Sequence, residues 1–355
     1  MVCEECENCK ALGYKFCIKC GESFAETAEV TDLKVHSKEM DPFSRTAIPS
    51  AFLILILGLG GLLAALINFV PTWEYVEQYK FSIYIYPGFF LDLYTLSGLG
   101  IQLFWMLIIL AFTIILAVCI YQSKDMFRFG KEDYLERTSC TPIYWVGLLL
   151  GSTLLLEVII NLILESTGSD VSVPDGLLDM TLEESLFSFT EAGVWEEIVF
   201  RMLLFGIPMA IAGLICKQKG SWKFIFGGFG VSRLGVILMV ITAFIFAYAH
   251  VEGWGLWKIF SVMLGGLAMG YLFMRFGIHA SILFHLINDY LGVWGTISLG
   301  IAGIADFALF GLGLICIPLL LIKTVKGIKN LKTMSNTGFT KEEIQIEENN
   351  DSNLD

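Results

Sequence analysis

Charge is scarce in this sequence. Of its 355 residues only 16% are Asp, Glu, Lys or Arg, while 55% are hydrophobic and the mean hydropathy is +0.70. A soluble domain carries about 25% charged residues. A water-facing particle could not hide this much apolar surface, so lipid is the expected solvent. Basic residues are the minority sign, and the formal net charge is −12. The chain therefore lacks the basic face that a nucleic-acid binder needs to neutralise phosphates. The N-terminus has no apolar run of the kind found in a secretory signal, so no cleavable leader is expected. Internal repeats are also lacking. Cysteine is thin beyond residue 20: of nine, only Cys119, Cys140, Cys216 and Cys316 lie there, in or beside apolar segments. A disulfide scaffold would spread its cysteines through a polar chain, so the clustering of the other five points to metal in a reducing compartment.

What is present is a series of long apolar runs. About 20 such residues cross roughly 30 Å of hydrocarbon. Eight candidates occur, at 47–70, 98–121, 142–164, 191–215, 232–250, 255–274, 278–296 and 299–322. The expected fold class is an all-α polytopic membrane protein of eight transmembrane helices with a small N-terminal zinc ribbon. Its parts are the ribbon over 1–24, a polar linker over 25–46, a membrane domain over 47–334 and an acidic, disordered tail over 335–355. Gly277 favours a break between the sixth and seventh runs. Lys and Arg collect in alternate connections. Lys124, Arg128, Lys131 and Arg137 lie in one, Lys217, Lys219, Lys223 and Arg233 in another, and Lys323, Lys326, Lys329 and Lys332 follow the last run. The intervening connections hold only Lys80 over 71–97 and no Lys or Arg over 165–190 or 251–254. This alternation places both termini in the cytoplasm of a multi-pass cell-membrane protein. The aromatic segment 71–97, with Tyr84, Tyr86 and Phe90, is expected to lie at the membrane interface.

Cys6-x2-Cys9 and Cys17-x2-Cys20 are two knuckles seven residues apart. Each pair lets two thiolates reach one ion, and four thiolates complete a closed tetrahedral zinc site. A segment this short has almost no core, so the metal would supply most of its folding energy. The closed site makes the zinc structural or regulatory rather than catalytic, and Cys3 is a spare that could replace Cys6 or Cys9.

Charged side chains at membrane depth cost about 2.5–3.5 kcal/mol each on insertion scales. The fourth run nevertheless contains Trp195-Glu196-Glu197-Ile-Val-Phe200-Arg201. On a helix Glu197 and Arg201 are one turn apart and can pair. Glu196 then points about 100° away and is free to face a cavity. The fifth run ends Phe246-Ala-Tyr248-Ala-His250, so the Phe246 ring can pack under the imidazole. The seventh holds His285-Leu-Ile-Asn288-Asp289, with His285 near mid-span. Three runs thus each bring a polar cluster into an apolar region, and one shared cavity would satisfy them all.

These residues resemble a known family. Glu196-Glu197-x3-Arg201, Phe246-x3-His250 and His285-x3-Asp289 are similar, in order and placement, to the three motifs of the CAAX protease and bacteriocin-processing family. That family, called CPBP or Abi, includes the type II CAAX prenyl endopeptidases. The resemblance covers about residues 140–322 and leaves the ribbon outside. It implies an intramembrane, metal-independent endopeptidase in which Glu196 and His250 activate a water. His285 and Asp289, with Asn288 beside them, would stabilise the oxyanion or orient the site. Glu197, Arg201 and Phe246 would hold the site in shape. The chemistry is sound on its own terms: a desolvated carboxylate is a stronger base, and an imidazole can donate to an oxyanion. Position 289 departs from the Asn typical of prenyl proteases, and Asp would instead orient His285. The partners implied are the lipid bilayer and a membrane-associated peptide or protein substrate, lipidated ones included. The alternative reading is a non-catalytic scaffold, sensor or immunity protein whose ribbon binds a protein partner. The sequence has no His-Glu-x-x-His, the motif of the competing zinc-protease reading.

Overall fold

A computed structural model describes residues 42–127 and 134–330. The cysteine module with Cys6, Cys9, Cys17 and Cys20, the first part of the linker and the acidic tail lie outside the described residues. The chain opens with helix α1 (Pro42–Ile67) and a short α2 (Phe69–Val76). Strands β1 (Lys80–Ile85) and β2 (Leu91–Ser97) follow, then α3 (Leu99–Gln122), α4 (Tyr134–Thr138) and α5 (Pro142–Ser166). Helix α6 (Asp175–Leu178) leads to α7 (Leu182–Glu197), a π-helical segment (Ile198–Gly206) and α8 (Ile207–Ile215). The remainder is α9 (Arg233–Ala249), α10 (Val251–Trp254), α11 (Lys258–Arg275), α12 (Ile278–Ile297) and α13 (Leu299–Asn330).

Among the described residues, six helical stretches are long and apolar enough to cross a membrane: Thr46–Ile67, Leu99–Gln122, Pro142–Ser166, Leu182–Ile215, Arg233–Trp254 and Leu299–Val325. Six such stretches in one chain mark a multi-pass membrane protein. Their outer faces carry exposed Leu63, Leu107, Leu110, Ile211, Leu214, Ile241 and Leu314, the pattern of a lipid-facing surface. The expected sixth and seventh runs form α11 and α12, separated at Gly277, whose φ of 110° suits a residue without a Cβ. Both fall short of the apolar criterion. α11 begins and ends on Lys258 and Arg275, and α12 carries His279, His285, Asn288 and Asp289.

Two features depart from the expectation. The chain is not wholly α-helical: residues 80–97 form an antiparallel hairpin, in which Phe81 pairs with Leu96 and the register shifts between Ile83 and Tyr84. Alternating β-branched and aromatic residues around Pro87-Gly88 suit a hairpin better than the loop expected from hydropathy. The fourth run starts nine residues earlier than expected. Thr181 caps α7, its hydroxyl accepting from the Glu184 N–H at 3.2 Å, and Glu183 and Glu184 favour the helix N-terminus.

Close helix approach positions the site. Gly193 of α7 sits against α12, where a Cβ would come within 2.7 Å of Leu286 Cδ2. Gly266 of α11 meets Ala243 of α9 in the same way, with a Cβ 3.1 Å from the Ala243 Cα. Small residues at such crossings are how membrane helices gain contact without a hydrophobic driving force. The π-helical segment directly follows Glu197: the Ile207 N–H reaches the Met202 carbonyl, five residues back. Pro208 lacks the N–H that would continue the α-helical pattern and its ring crowds the preceding turn, so a widened turn there has a local cause.

Candidate active site

Glu196 and Glu197 end α7, His250 caps α9 and His285 lies in α12. The structure brings all four together. Glu197 and Arg201 are fully buried, and the Arg201 Nε lies 3.3 Å from a Glu197 oxygen. Ser281 donates its hydroxyl hydrogen bond to that same oxygen and also lies 3.1 Å from the Met269 carbonyl. The other Glu197 oxygen is 3.2 Å from His285 Nδ1. Arg201 stacks its guanidinium 5.0 Å from the centre of the Phe246 ring. Phe246 in turn meets the His250 ring at 4.7 Å and the His285 ring at 5.8 Å, both edge to face. One aromatic ring thus wedges the cation and both imidazoles in place.

Glu196 faces the other way. Its Oε2 is 3.8 Å from His250 Nε2 and 3.8 Å from His285 Nε2, and it has no hydrogen-bond partner. His285 Nε2 is also 3.4 Å from an Asp289 oxygen. His250 Nδ1 lies 2.9 Å from the Phe246 carbonyl, which can only accept, so Nδ1 is the donor. In the neutral ring Nε2 then carries a free lone pair toward Glu196. Asn288 does not meet Glu196 or either imidazole through a hydrogen bond; its amide donates to Asp289 at 3.3 Å.

A cavity of about 310 Å³ opens onto this face. Tyr84 and Phe90 of the hairpin, Glu196, Phe200, His250 and the 252–254 turn line it. The hairpin is tied to α7 beside the carboxylate, because the Trp195 indole N–H donates to the Tyr84 carbonyl at 3.1 Å. Burial, then the nearby carboxylates of Glu196 and Glu191, push the Tyr84 hydroxyl above its ordinary range, so it stays protonated.

Three contributors were not singled out from sequence. Ser281 lies one helical turn before His285, a spacing that could have flagged it. Glu191 is buried with one oxygen lacking a hydrogen-bond partner, in electrostatic range of Glu196, His285 and Asp289. Tyr84 reaches the site only through the hairpin, and no local pattern announces it.

Chemically, the site is a carboxylate and an imidazole, Glu196 and His250, on the wall of a cavity, with a second imidazole, His285, behind the carboxylate and outside the lining, an arrangement able to activate water. A family model described as "Type II CAAX prenyl endopeptidase Rce1-like" matches residues 180–291. The match spans Glu196, Glu197, Arg201, Phe246, His250, His285 and Asp289. The chain is similar over that stretch to a protease family, which supports peptidase activity in general. No curated protein and no solved structure matches the chain.

Proposed function

We propose that this protein is an intramembrane endopeptidase that hydrolyses a peptide bond of a membrane-associated protein or peptide, as CAAX prenyl endopeptidases do. The observation that carries the reading is the convergence of His250 Nε2 and His285 Nε2 on one Glu196 oxygen, 3.8 Å from each. That gap is too long for a direct hydrogen bond and suits a bridging water. Charge bookkeeping agrees. Arg201 offsets Glu197, and a protonated His285 would offset Asp289, which leaves Glu196 as the cavity carboxylate that faces the imidazoles without a counter-charge of its own; Glu252 lines the cavity on the 252–254 turn. A general base needs to be such a group. Glu196 takes a proton from water while His250 orients it, and the oxygen attacks the peptide carbonyl. Asp289 orients His285, since a carboxylate would repel a developing oxyanion.

The reading extends to eight spans, with α11 and α12 crossing the membrane sheltered by their neighbours. Both termini are cytoplasmic, by the distribution of Lys and Arg. The cavity lies among the connections poor in basic residues, so the substrate approaches from the non-cytoplasmic side. A structural zinc at Cys6, Cys9, Cys17 and Cys20 belongs to the same proposal, on spacing alone. The test is cleavage of a membrane-anchored reporter peptide by the protein in liposomes. Glu196→Gln should lower turnover by about 10³-fold, within the range for loss of a general base. Equal turnover by wild type and variant would remove the peptidase reading.

A further inference from the structure

We propose that Tyr84 donates its phenolic hydrogen bond to the oxyanion of the tetrahedral intermediate, so the hairpin supplies a catalytic residue from outside the family-like region. The inference rests on the peptidase reading. In that reaction the water oxygen bonds to the carbonyl carbon, one water proton passes to Glu196, and the carbonyl π pair moves onto oxygen. When the intermediate collapses, the C–N bond breaks and the proton on Glu196 passes to the leaving nitrogen. The negative oxygen between those two events needs a donor in place beforehand.

The cavity holds few candidates, and His285 is not in its lining: its Nδ1 faces Glu197 at 3.2 Å and its Nε2 faces Asp289 at 3.4 Å. Glu196 and Glu252 would repel the charge, and Phe90, Phe200, Ala249 and Gly253 have no side-chain donor. His250 spends its Nδ1 proton on the Phe246 carbonyl. Beside Tyr84, the Trp254 indole N–H is the other side-chain donor in the lining, on a ring whose face is taken by the Lys258 ammonium 4.5 Å from its centre. Asp289 is a carboxylate outside the lining. Of the two donors, Tyr84 is the one tied to the Glu196 helix, and its placement is built rather than incidental. The Trp195 indole holds its backbone one residue from Glu196, Phe90 meets its ring edge to face at 5.2 Å, and the strand register shifts at Ile83/Tyr84, as at a bulge. The hydroxyl's protonated state, noted above, is the one that donates.

The test uses the full-length protein in liposomes with the membrane-anchored reporter and a peptide aldehyde of the same sequence, whose hydrate mimics the tetrahedral intermediate. Tyr84→Phe keeps the ring and removes only the donor. We expect kcat to fall by about 10²-fold with KM changed less than about twofold, because the interaction forms only in the transition state. Inhibition by the aldehyde should weaken by a similar factor, and Tyr84→Gln should recover part of the loss. Full kcat in Tyr84→Phe, or a loss confined to KM with unchanged aldehyde inhibition, would overturn the role and leave a wall residue. Should Tyr84→Phe unfold, the aldehyde comparison on Tyr84→Gln decides, since loss of inhibition equal to that of Tyr84→Leu rejects the donor. A wild type no faster than Glu196→Gln would instead sink the peptidase reading beneath it.

Discussion

Glu196 and Glu197 are chemically identical neighbours in sequence, yet they live in different solvents. Glu197 is fully buried and meets Arg201, Ser281 and His285 Nδ1. Glu196 looks onto a cavity, with both imidazole Nε2 atoms at 3.8 Å and no hydrogen bond of its own. The His285 ring is the partition between them. Its Nδ1 belongs to the closed side and its Nε2 to the open side. A rotation of about 100° around the helix thus separates a carboxylate consumed in holding the fold from one left available. Closure on one side is what lets the other remain open, because polar groups at membrane depth must find partners.

The comparison can be broken most forcefully from the closed side. Glu197→Leu should destabilise the protein by about 3–5 kcal/mol, the cost of stranding a buried Arg201. Arg201→Met in the same chain should restore much of that loss in denaturant unfolding. A single variant that unfolds like wild type would show that the closed side bears no load. Next comes the crossing that holds the two sides together. Gly193→Val must displace Leu286, now within 2.7 Å of a Cβ there. The expected cost is about 1–3 kcal/mol for overpacking, with a loss of reporter cleavage alongside; cleavage at the wild-type rate would argue that the α7–α12 spacing does not set the site.

On the open side, His250→Asn should reduce cleavage by about 10²-fold, as for a positioned proton-handling group, with the unfolding midpoint unchanged. A drop in stability equal to that of the Glu197 variant would erase the distinction between the sides. The smallest effect on cleavage is expected from Cys17→Ser with Cys20→Ser. The proposed zinc, measured by elemental analysis, should be lost from the full chain while turnover holds within about twofold, since a closed four-thiolate site has no open position for chemistry. Retained stoichiometric zinc would reject that ligand set.

Much of the site was legible in the sequence because its geometry is local. Helical spacing alone pairs Glu197 with Arg201 and stacks Phe246 beneath His250, and both contacts are present. The polar residues at membrane depth stood out because their burial is costly. What was not legible depends on distant partners. Nothing near Tyr84 says that a hairpin will carry it beside Glu196, because strand pairing and the Trp195 bond join segments far apart in sequence. The eight apolar runs were located from hydropathy, but among the described residues only six helical stretches meet the length and apolarity of a span. The two that fall short, α11 and α12, include the helix that holds His285 and Asp289. The polarity that builds a site also erodes the signal that locates its helix.

The most direct measurement is the turnover per folded molecule of Glu196→Gln beside Glu197→Gln, with the folded fraction read from the same liposome preparation. Glutamine at 197 can still accept from His285 Nδ1, so its lost turnover should track its lost folded protein. Glutamine at 196 should leave the folded fraction intact and lower turnover per folded molecule by about 10³-fold. The reverse pattern, with Glu197→Gln inactive though folded and Glu196→Gln active, would contradict the assignment of the open carboxylate to the chemistry.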